Sequence, residues 1–166
     1  MSGGLDGQVF RQAMAALPTG VSVLTTKYGT GVHGMTVGSL TSVSLSPSLI
    51  SVCLRKESPS LLLIRRNDDF GLSVLADDQI SVANCFATPE RETDSVEYAF
   101  LDGVPVVSGA VGWLVCTQRH IYAAGDHAIV IGAVSRAESR DGEPLIRHRS
   151  RYRHLTPEEE SLVTPR

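Results

Sequence analysis

Small hydroxyl side chains and glycines are concentrated in one stretch of this chain, residues 33–47. The stretch reads HGMTVGSLTSVSLSP, with two glycines, six serines or threonines, and a single histidine as its one ionisable side chain. Glycine lets a ligand approach the backbone closely, and each hydroxyl can donate and accept a hydrogen bond. The stretch therefore suits the binding of a polar ligand, although a Ser/Thr-rich strand with one solvated face would have the same composition.

An extended conformation would sort this stretch into two faces, because alternate residues of a strand point in opposite directions. The apolar set would be Met35, Val37, Val43 and Leu45, and the hydroxyl set would be Thr36, Ser42, Ser44 and Ser46. Gly38 would mark a bulge that changes the register partway along. We therefore expect one long strand that is apolar on one side and hydroxylated on the other.

A second group of polar residues, Gly125-Asp126-His127, precedes the apolar run HAIVIGAV. A histidine at the mouth of a buried strand can donate to a ligand, move a proton or stack on a ring. Asp126 would orient it or bind the backbone of the turn. The alternative is a β-turn stabilised by the aspartate, with an incidental histidine beside it.

Arginines surround Tyr152 in a third group, RHRSRYRH at residues 147–154. Arginine pairs well with phosphates, and tyrosine stacks on flat heterocycles. The alternative is a solvated basic stretch without a ligand. Together, the hydroxyls, the histidine, the arginines and the aromatic ring suit a phosphorylated heterocyclic cofactor and include no set of metal ligands.

Composition excludes several other classes of protein. A net charge of −3 gives no reason to expect nucleic acid or anionic lipid as a partner, and no apolar run is long enough to span a membrane. The first residues lack the features of a signal peptide. Three widely spaced cysteines at positions 53, 85 and 116 argue against zinc and disulfides and favour reduced thiols in the cytoplasm. Glycine fingerprints of dinucleotide folds and the hydrolase Gly-x-Ser-x-Gly elbow are both missing from the sequence.

The elements that position these groups are mostly strands. Apolar periodicity predicts a helix from Asp6 to Leu17 and a short helix that begins at Ser58-Pro59. It also predicts a helix capped by Asp77, on which Gln79 and Asn84 lie outside the apolar stripe and are expected to be solvated. About six strands are predicted, at residues 21–26, 33–47, 49–54, 70–75, 110–118 and 127–134.

This order of elements favours a mainly β protein, a β-barrel with peripheral short helices, over a parallel sheet. The last two strands would be separated by residues 119–126, and residues 88–98 would form a polar excursion over the surface. We expect one domain over residues 1–155 and a flexible tail over residues 156–166.

Several segments carry a family resemblance in the right order. They are residues 14–23 (MAALPTGVSV), 33–44 (HGMTVGSLTSVS), 47–54, 74–79 (VLADDQ), 86–87, 125–134 (GDHAIVIGAV), 143–145 and 148–153 (HRSRYR). In these segments the chain resembles the short-chain flavin reductases, the reductase partners of two-component flavin-dependent monooxygenases. The resemblance covers residues 8–155 almost completely.

This resemblance implies an FMN-binding split β-barrel of Greek-key type, working as a homodimer with the flavin near the subunit interface. Such enzymes use NADH or NADPH to reduce FAD or FMN and release the reduced flavin to a separate oxygenase. The residues that would contact the flavin are Thr36, Val37, Ser39, Thr41, Ser42, Val52, Cys53, Leu54, Ser58, Gln79 and Phe86. Those on the nicotinamide side would be Asp126, His127, Arg149, Arg151 and Tyr152, with His127 the candidate catalytic residue, acting by positioning rather than as an essential base.

Three other functions remain open at this point. A relative on the same barrel could keep FMN tightly bound and reduce another substrate. A flavin-binding module could carry the barrel without turnover, and a structural β-barrel would bind no flavin at all. The sequence does not distinguish FAD from FMN, or NADH from NADPH, as the substrate. The partner oxygenase is a separate polypeptide, so this sequence does not identify it.

Overall fold

The structure, a computed structural model, describes residues 6–88 and 95–155 and is dominated by strands. Within these residues the helices are α1 (Gly7–Ala15), α2 (Pro59–Asn67) and α3 (Ile80–Cys85). The strands are β1 (Thr19–Gly20), β2 (Ser22–Tyr28), β3 (Gly31–Val37), β4 (Thr41–Leu45), β5 (Ser48–Arg55), β6 (Asp69–Val74), β7 (Tyr98–Leu101), β8 (Val104–Val107), β9 (Gly112–Ala124), β10 (His127–Ser139), β11 (Ile146–His148) and β12 (Arg151–Arg153).

The expectation of a mainly β protein is confirmed, with twelve strands in the described residues where about six were predicted. Most of the additional strands are short, two to four residues each, below the length at which sequence alternation is visible. The predicted tail at residues 156–166 and the centre of the predicted excursion, residues 89–94, lie outside the described residues.

Seven strands form one antiparallel sheet in the order β3-β2-β6-β9-β10-β5-β4. β3 and β4 follow each other in the chain, yet they lie at opposite edges of this sheet and are joined only by residues 38–40. In a flat sheet the two edges would be about 29 Å apart, at about 4.8 Å per strand. Three linking residues span about 14 Å at most. The sheet must therefore curl until its edges approach each other at residues 38–40, which we call the seam.

The prediction of one long strand over residues 33–47 is therefore wrong, because the chain leaves one edge of the sheet at the seam and joins the other. Gly38 lies at the seam, where an added Cβ would meet Thr19 Oγ1 at 3.1 Å. The bulge is at Val43 instead, where the register of β4 against β5 shifts. Val43 and Leu45 are 50% and 89% exposed, whereas Val37 is buried in the core, so only the β3 half of the predicted apolar face is buried.

Alternation along β5 and β10 sends one set of side chains into the barrel. Ile50, Val52 and Leu54 of β5 are buried together with Ala128 and Val130 of β10. α2 covers this core with Leu61 and Ile64, which are also fully buried. Its predicted start is confirmed, because Ser58 Oγ accepts a hydrogen bond from Leu61 N at 3.2 Å and proline follows at the first helical position.

β9 and β10 form a hairpin that is longer than predicted. Residues 119–124 continue β9, so that only Gly125 and Asp126 separate the two strands. The register shifts where His120 and Gln118 face consecutive residues of β10, which leaves Arg119 as the extra residue of a bulge. This bulge interrupts the alternation of side chains, which explains why the sequence pattern ended at Gln118.

The ends of the short helices also differ from the prediction. Asp77 does not cap α3, because Gln79 occupies the cap position without a side-chain cap bond. Asp77 Oδ2 instead lies 3.5 Å from His154 Nδ1. α1 forms as predicted but buries none of its residues, and its apolar side chains at positions 9, 10 and 14 are about half exposed. No helix in residues 6–88 and 95–155 is long and apolar enough to cross a membrane.

His33 of β3 connects the sheet to α2 and should make stability depend on pH. Its Nε2 lies 2.8 Å from Ser60 Oγ, and burial lowers the pKa of His33 below its ordinary value of 6.5. As the pH falls below 6.5, the unfolded chain binds this proton first, so that the free energy of unfolding decreases. In urea titrations at pH 7.5 and 5.5, we expect His33→Gln to lose less stability on acidification than the unmodified chain. Equal losses in the two proteins would contradict this prediction.

Candidate functional site

Strand register places several of the predicted residues on the outside of the barrel. Cys53 pairs with Ile129, which pairs with Tyr122, while Ser51 pairs with Ile131, which pairs with His120. Paired residues share a face, and their neighbours Val52 and Val130 point into the core. The surface formed by Thr41, Ser51, Cys53, His120, Tyr122, His127, Ile129 and Ile131 is called the outer face below.

Ser39 fixes the backbone of β5 at one edge of the outer face. Its hydroxyl accepts from Cys53 N at 2.9 Å and donates to Cys53 O at 3.2 Å. β4 begins to pair with β5 only at Thr41 and Ser51, so this hydroxyl replaces the missing strand beside Cys53. The carbonyl oxygen of Cys53 keeps a second lone pair. At this end of the seam, the backbone N–H and C=O of Cys53 are therefore bonded to a side chain rather than to a neighbouring strand.

Val37, Val52 and Leu54 have their side chains in the core, exposed by 4% or less. Among the predicted flavin contacts, these three residues can therefore offer a ligand only backbone groups. Ser42 lies beside them on β4, where it pairs with Ile50. The chemistry available at this edge comes from the neighbouring hydroxyls and peptide groups.

Thr36 and Phe86 attach α3 to the barrel on the other side of the seam. Thr36 Oγ1 donates to Ala83 O at 2.7 Å, and Thr36 N donates to Phe86 O at 3.1 Å. The ring of Phe86 lies directly over Gly34, where an added Cβ would overlap it. These contacts hold the start of the seam in a fixed position relative to α3.

Asp126 and His127 form a hydrogen-bonded pair at the tip of the β9–β10 hairpin. Asp126 Oδ1 lies 2.7 Å from His127 Nδ1, and this hydrogen bond is the main cause that lowers the pKa of Asp126. The contact orients the imidazole and leaves Nε2 for other partners. Lys56 N donates to Asp126 O at 3.1 Å, which ties the hairpin to the segment before Ser58. The Asp126 side chain thus orients the histidine, whereas the bond to Lys56 is made by the backbone carbonyl of Asp126.

Tyr152 lies in the β11–β12 hairpin and contacts α3. Its hydroxyl donates to Asn84 Oδ1 at 3.2 Å, and its ring packs against a second cluster of buried residues, which includes Val21 and Leu75. Arg149 and Arg151 are both exposed, and Arg149 begins a turn in which two residues have positive φ. The two arginine side chains are thus accessible to solutes, whereas the tyrosine is fixed in position by its hydrogen bond to Asn84 and by its packing.

Gln79 and Asn84 are half-buried and hydrogen-bonded, so the expectation that they are solvated is wrong. Gln79 Oε1 accepts from Ala76 N at 3.0 Å, and its Nε2 donates to Ser108 O at 2.8 Å. The sequence could not show this, because both residues bond to segments that are distant along the chain or outside the helix. In Gln79, both ends of the amide already have protein partners.

The predicted residues thus fall into three groups. One lies at the edge of β4 and β5 around Ser39 and Cys53, the second at the tip formed by Ser58 and His127, and the third around α3 with Tyr152. The structure adds Ser51, which lies two residues from Cys53 on the same face of β5, and Asn84, which was expected to be solvated and instead bonds to Tyr152. Residues 6–88 and 95–155 hold no group of three or more His, Cys, Asp or Glu side chains that could bind a metal ion.

Comparison with known proteins identifies the family of this chain. The family model described as "Flavin reductase like domain" matches residues 14–156. An NADH-dependent flavin reductase of a Rhodococcus species is 35% identical over 161 residues, which cover 93% of this chain and 92% of that protein.

Two solved structures have the same fold. The NADH:FAD oxidoreductase SgcE6 of Streptomyces globisporus is 32% identical with a TM-score of 0.87, covering 95% of this chain and 98% of that one. The styrene monooxygenase flavin reductase SMOB of Pseudomonas putida S12 is 31% identical with a TM-score of 0.85, covering 90% and 99%. The split-barrel expectation is confirmed. The chain belongs to the flavin reductase-like family.

Proposed function

We propose that this chain is a flavin reductase that oxidises NADH, reduces FAD or FMN and supplies the reduced flavin to a separate flavin-dependent monooxygenase. The names of its relatives support this activity, since they include an NADH-dependent flavin reductase and the flavin reductase of a styrene monooxygenase. The structural observation that supports it most directly is the Cys53 peptide held by Ser39 beside an open outer face.

The residues around the seam fit a flavin in their chemistry. A flavin ring presents a flat apolar surface with hydrogen-bonding atoms along one edge. Ser39, Thr41 and the Cys53 peptide would face that edge, and Ile129 would contact apolar surface. Ser58 at the start of α2 and the exposed Arg149 and Arg151 would lie toward phosphate groups. Gln79 and Phe86 would support this site from behind rather than bond to the ligand.

The protein needs to supply alignment more than acid–base catalysis. When bound, the flavin accepts a hydride from NADH, and the two cofactors carry the electronic work of the reaction. Tyr152 and the oriented imidazole of His127 would position the nicotinamide. Hydrogen-bond donors near the ring would favour the charge that develops on reduction. His127 would be a modest aid in this scheme and not an essential base.

We further propose that the chain forms a homodimer through α1, with residues 1–155 acting as one reductase domain. The helix exposes Val9, Phe10 and Met14, which together with Leu17, just after the helix, form an apolar stripe whose side chains are each about half accessible to solvent. A stripe of this kind on a folded domain commonly marks an interface. Sedimentation or light scattering on the purified chain would test the dimer, and Phe10→Glu should shift it toward the monomer.

We also propose a cytoplasmic location, because of the state of the cysteine thiols. In the part of the chain that the structure describes, Cys53 and Cys116 form no disulfide, and burial raises the pKa of the Cys116 thiol to about 12. Free thiols persist in reducing compartments, whereas secreted domains of this size more often pair them.

Anaerobic mixing of the purified chain with NADH and excess flavin tests the activity directly. We expect loss of oxidised-flavin absorbance well beyond one equivalent of protein, and parallel runs with FAD, FMN, NADH and NADPH would rank the substrates. Bleaching of a single protein-bound equivalent would favour the relative with tightly bound FMN. Binding of flavin without any bleaching would contradict the proposal and favour a carrier.

Removal of the Tyr152 hydroxyl should weaken the use of NADH more than the binding of flavin. Tyr152→Phe loses the bond to Asn84 while keeping the packed ring, and one neutral hydrogen bond contributes about 0.5–1.5 kcal/mol. We expect the KM for NADH to rise about threefold to tenfold, with the flavin Kd unchanged. Tyr28→Phe, at a tyrosine that is 64% exposed, is the matched control. Equal effects on NADH and flavin would refute this role.

A further inference from the structure

A groove between α2 and the β9–β10 hairpin is separate from the outer face. Its volume is about 300 Å³, near the lower end of small-molecule sites. The residues that line it are Lys56, Leu61, Leu62, Arg65, Ile121, Ala123 and Ala128. The groove is therefore large enough for one ring system with its attached sugar, and too small for a whole dinucleotide.

The floor of the groove is apolar and fixed in place. Leu61 and Ala128 are each 2% exposed, and Ile121 packs against the barrel core. Leu62, which is 53% exposed, stands at the side of the groove as an uncovered apolar side chain. A flat, weakly polar ring in the groove would remove apolar surface of Leu62 and of the exposed Ala123 from water, which is favourable.

The charged side chains that line the groove are all positive. Lys56 and Arg65 are exposed cations, and no carboxylate is among the lining residues. Two cations at the side of an apolar floor select a ligand that combines an apolar ring with negative charge. Phosphate suits them both, because arginine binds it in a fork and lysine as a point charge.

The groove also adjoins the proposed cofactor site through the backbone. Lys56 N donates to Asp126 O, beside the candidate catalytic histidine, and Lys56 precedes the start of α2 by only two residues. Arg55, the next residue back, pairs with His127 across β5 and β10. A ligand that extends from the cofactor site past Ser58 would therefore reach the groove.

We propose that this groove binds the adenosine diphosphate part of a dinucleotide substrate. The adenine would cover Leu62 and Ala123, and the phosphates would lie between Lys56 and Arg65. The proposal rests on the proposed flavin reductase activity and extends it, because both FAD and NADH contain this group and FMN does not. The groove would then give one of these two substrates a second point of attachment.

Calorimetric titration of the full chain with ADP tests the groove without requiring turnover. We expect ADP to bind, and the double variant Lys56→Gln/Arg65→Gln to bind it at least about tenfold more weakly, the factor expected for losing charge-assisted contacts. Arg66→Gln is the matched control, because Arg66 is the neighbouring cation of α2 and does not line the groove. Absence of ADP binding, or equal weakening by the control, would overturn the proposal.

Steady-state kinetics of the same variants identify the source of the adenosine diphosphate. A KM for FAD that rises about tenfold beside an unchanged KM for FMN assigns the groove to the flavin. A KM for NADH that rises with both flavins assigns it to the nicotinamide cofactor. If the chain bound ADP in the groove but reduced no flavin, the proposed function would fail while the groove assignment would stand. If it reduced flavin with no change in any variant, the groove assignment alone would fail.

Discussion

Replacing Gly71 with alanine is expected to destabilise the barrel by about 3 kcal/mol or more, at the upper end of overpacking effects. Gly71 lies in β6, and an added Cβ would overlap the carbonyl oxygen of Pro105. It would also lie 2.8 Å from Thr25 Oγ1 and 2.9 Å from Val106 Cγ1. A backbone oxygen cannot rotate away as a side chain can. The strand β8, which carries Pro105, would therefore have to move away from β6.

Chemical denaturation measures this effect, since the urea midpoint reports the free energy of unfolding. Gly20→Ala is the matched control, because an added Cβ at Gly20 meets nothing within 4 Å. We expect the control to change the midpoint little and Gly71→Ala to lower it strongly or prevent folding. Similar midpoints for the two variants would show that β8 can move freely, contrary to the packing described here.

Replacing Ser39 with alanine is expected to raise the Kd for flavin about tenfold or more, the effect of about 1.4 kcal/mol. The hydroxyl of Ser39 bonds to both the backbone N–H and the backbone C=O of Cys53. Without it, the Cys53 N–H loses a partner that β4 does not replace, and an unpaired polar group of this kind costs about 1–3 kcal/mol. The peptide edge proposed to face the flavin would then lose its fixed orientation.

Fluorescence titration with FAD and FMN measures this change. Ser48→Ala is the control, because Ser48 donates to Leu45 O in the turn between the same two strands but lies away from Cys53. Urea denaturation of both variants separates loss of binding from loss of folding. If Ser39→Ala bound flavin as tightly as the control while remaining folded, the proposed position of the flavin beside Cys53 would be wrong.

Local patterns in the sequence were sufficient to predict the fold class and several elements. The apolar run at 49–54 lies within β5, the run at 127–134 lies within β10, and Ser58 caps α2 as predicted. These predictions succeed because alternation, capping and turn residues act over a few positions. The family resemblance is confirmed for the same reason, since it rests on many short segments in order.

Predictions that depended on contacts distant in sequence were wrong or incomplete. Ser39 bonds to a residue 14 positions away, and Gln79 bonds to one 29 positions away. The division of residues 33–47 between two sheet edges follows from the closure of the barrel, which no property of the stretch itself reveals. A hydroxyl or amide side chain whose hydrogen-bond partner lies in another element is easily predicted to be solvated, because the sequence does not show the partner.

The seam has a consequence for solubility under stress. In the seven-stranded sheet β3 pairs only with β2, and β4 pairs only with β5. The outer edges of β3 and β4 therefore carry unpaired N–H and C=O groups, and separation of the two edges at residues 38–40 would make them more accessible to edge-to-edge aggregation. A molecule that bridges Thr36, Ser39 and Thr41 would hold these edges together. Cells that keep the chain saturated with its ligand would thereby protect it from aggregation as well as keep it ready to act.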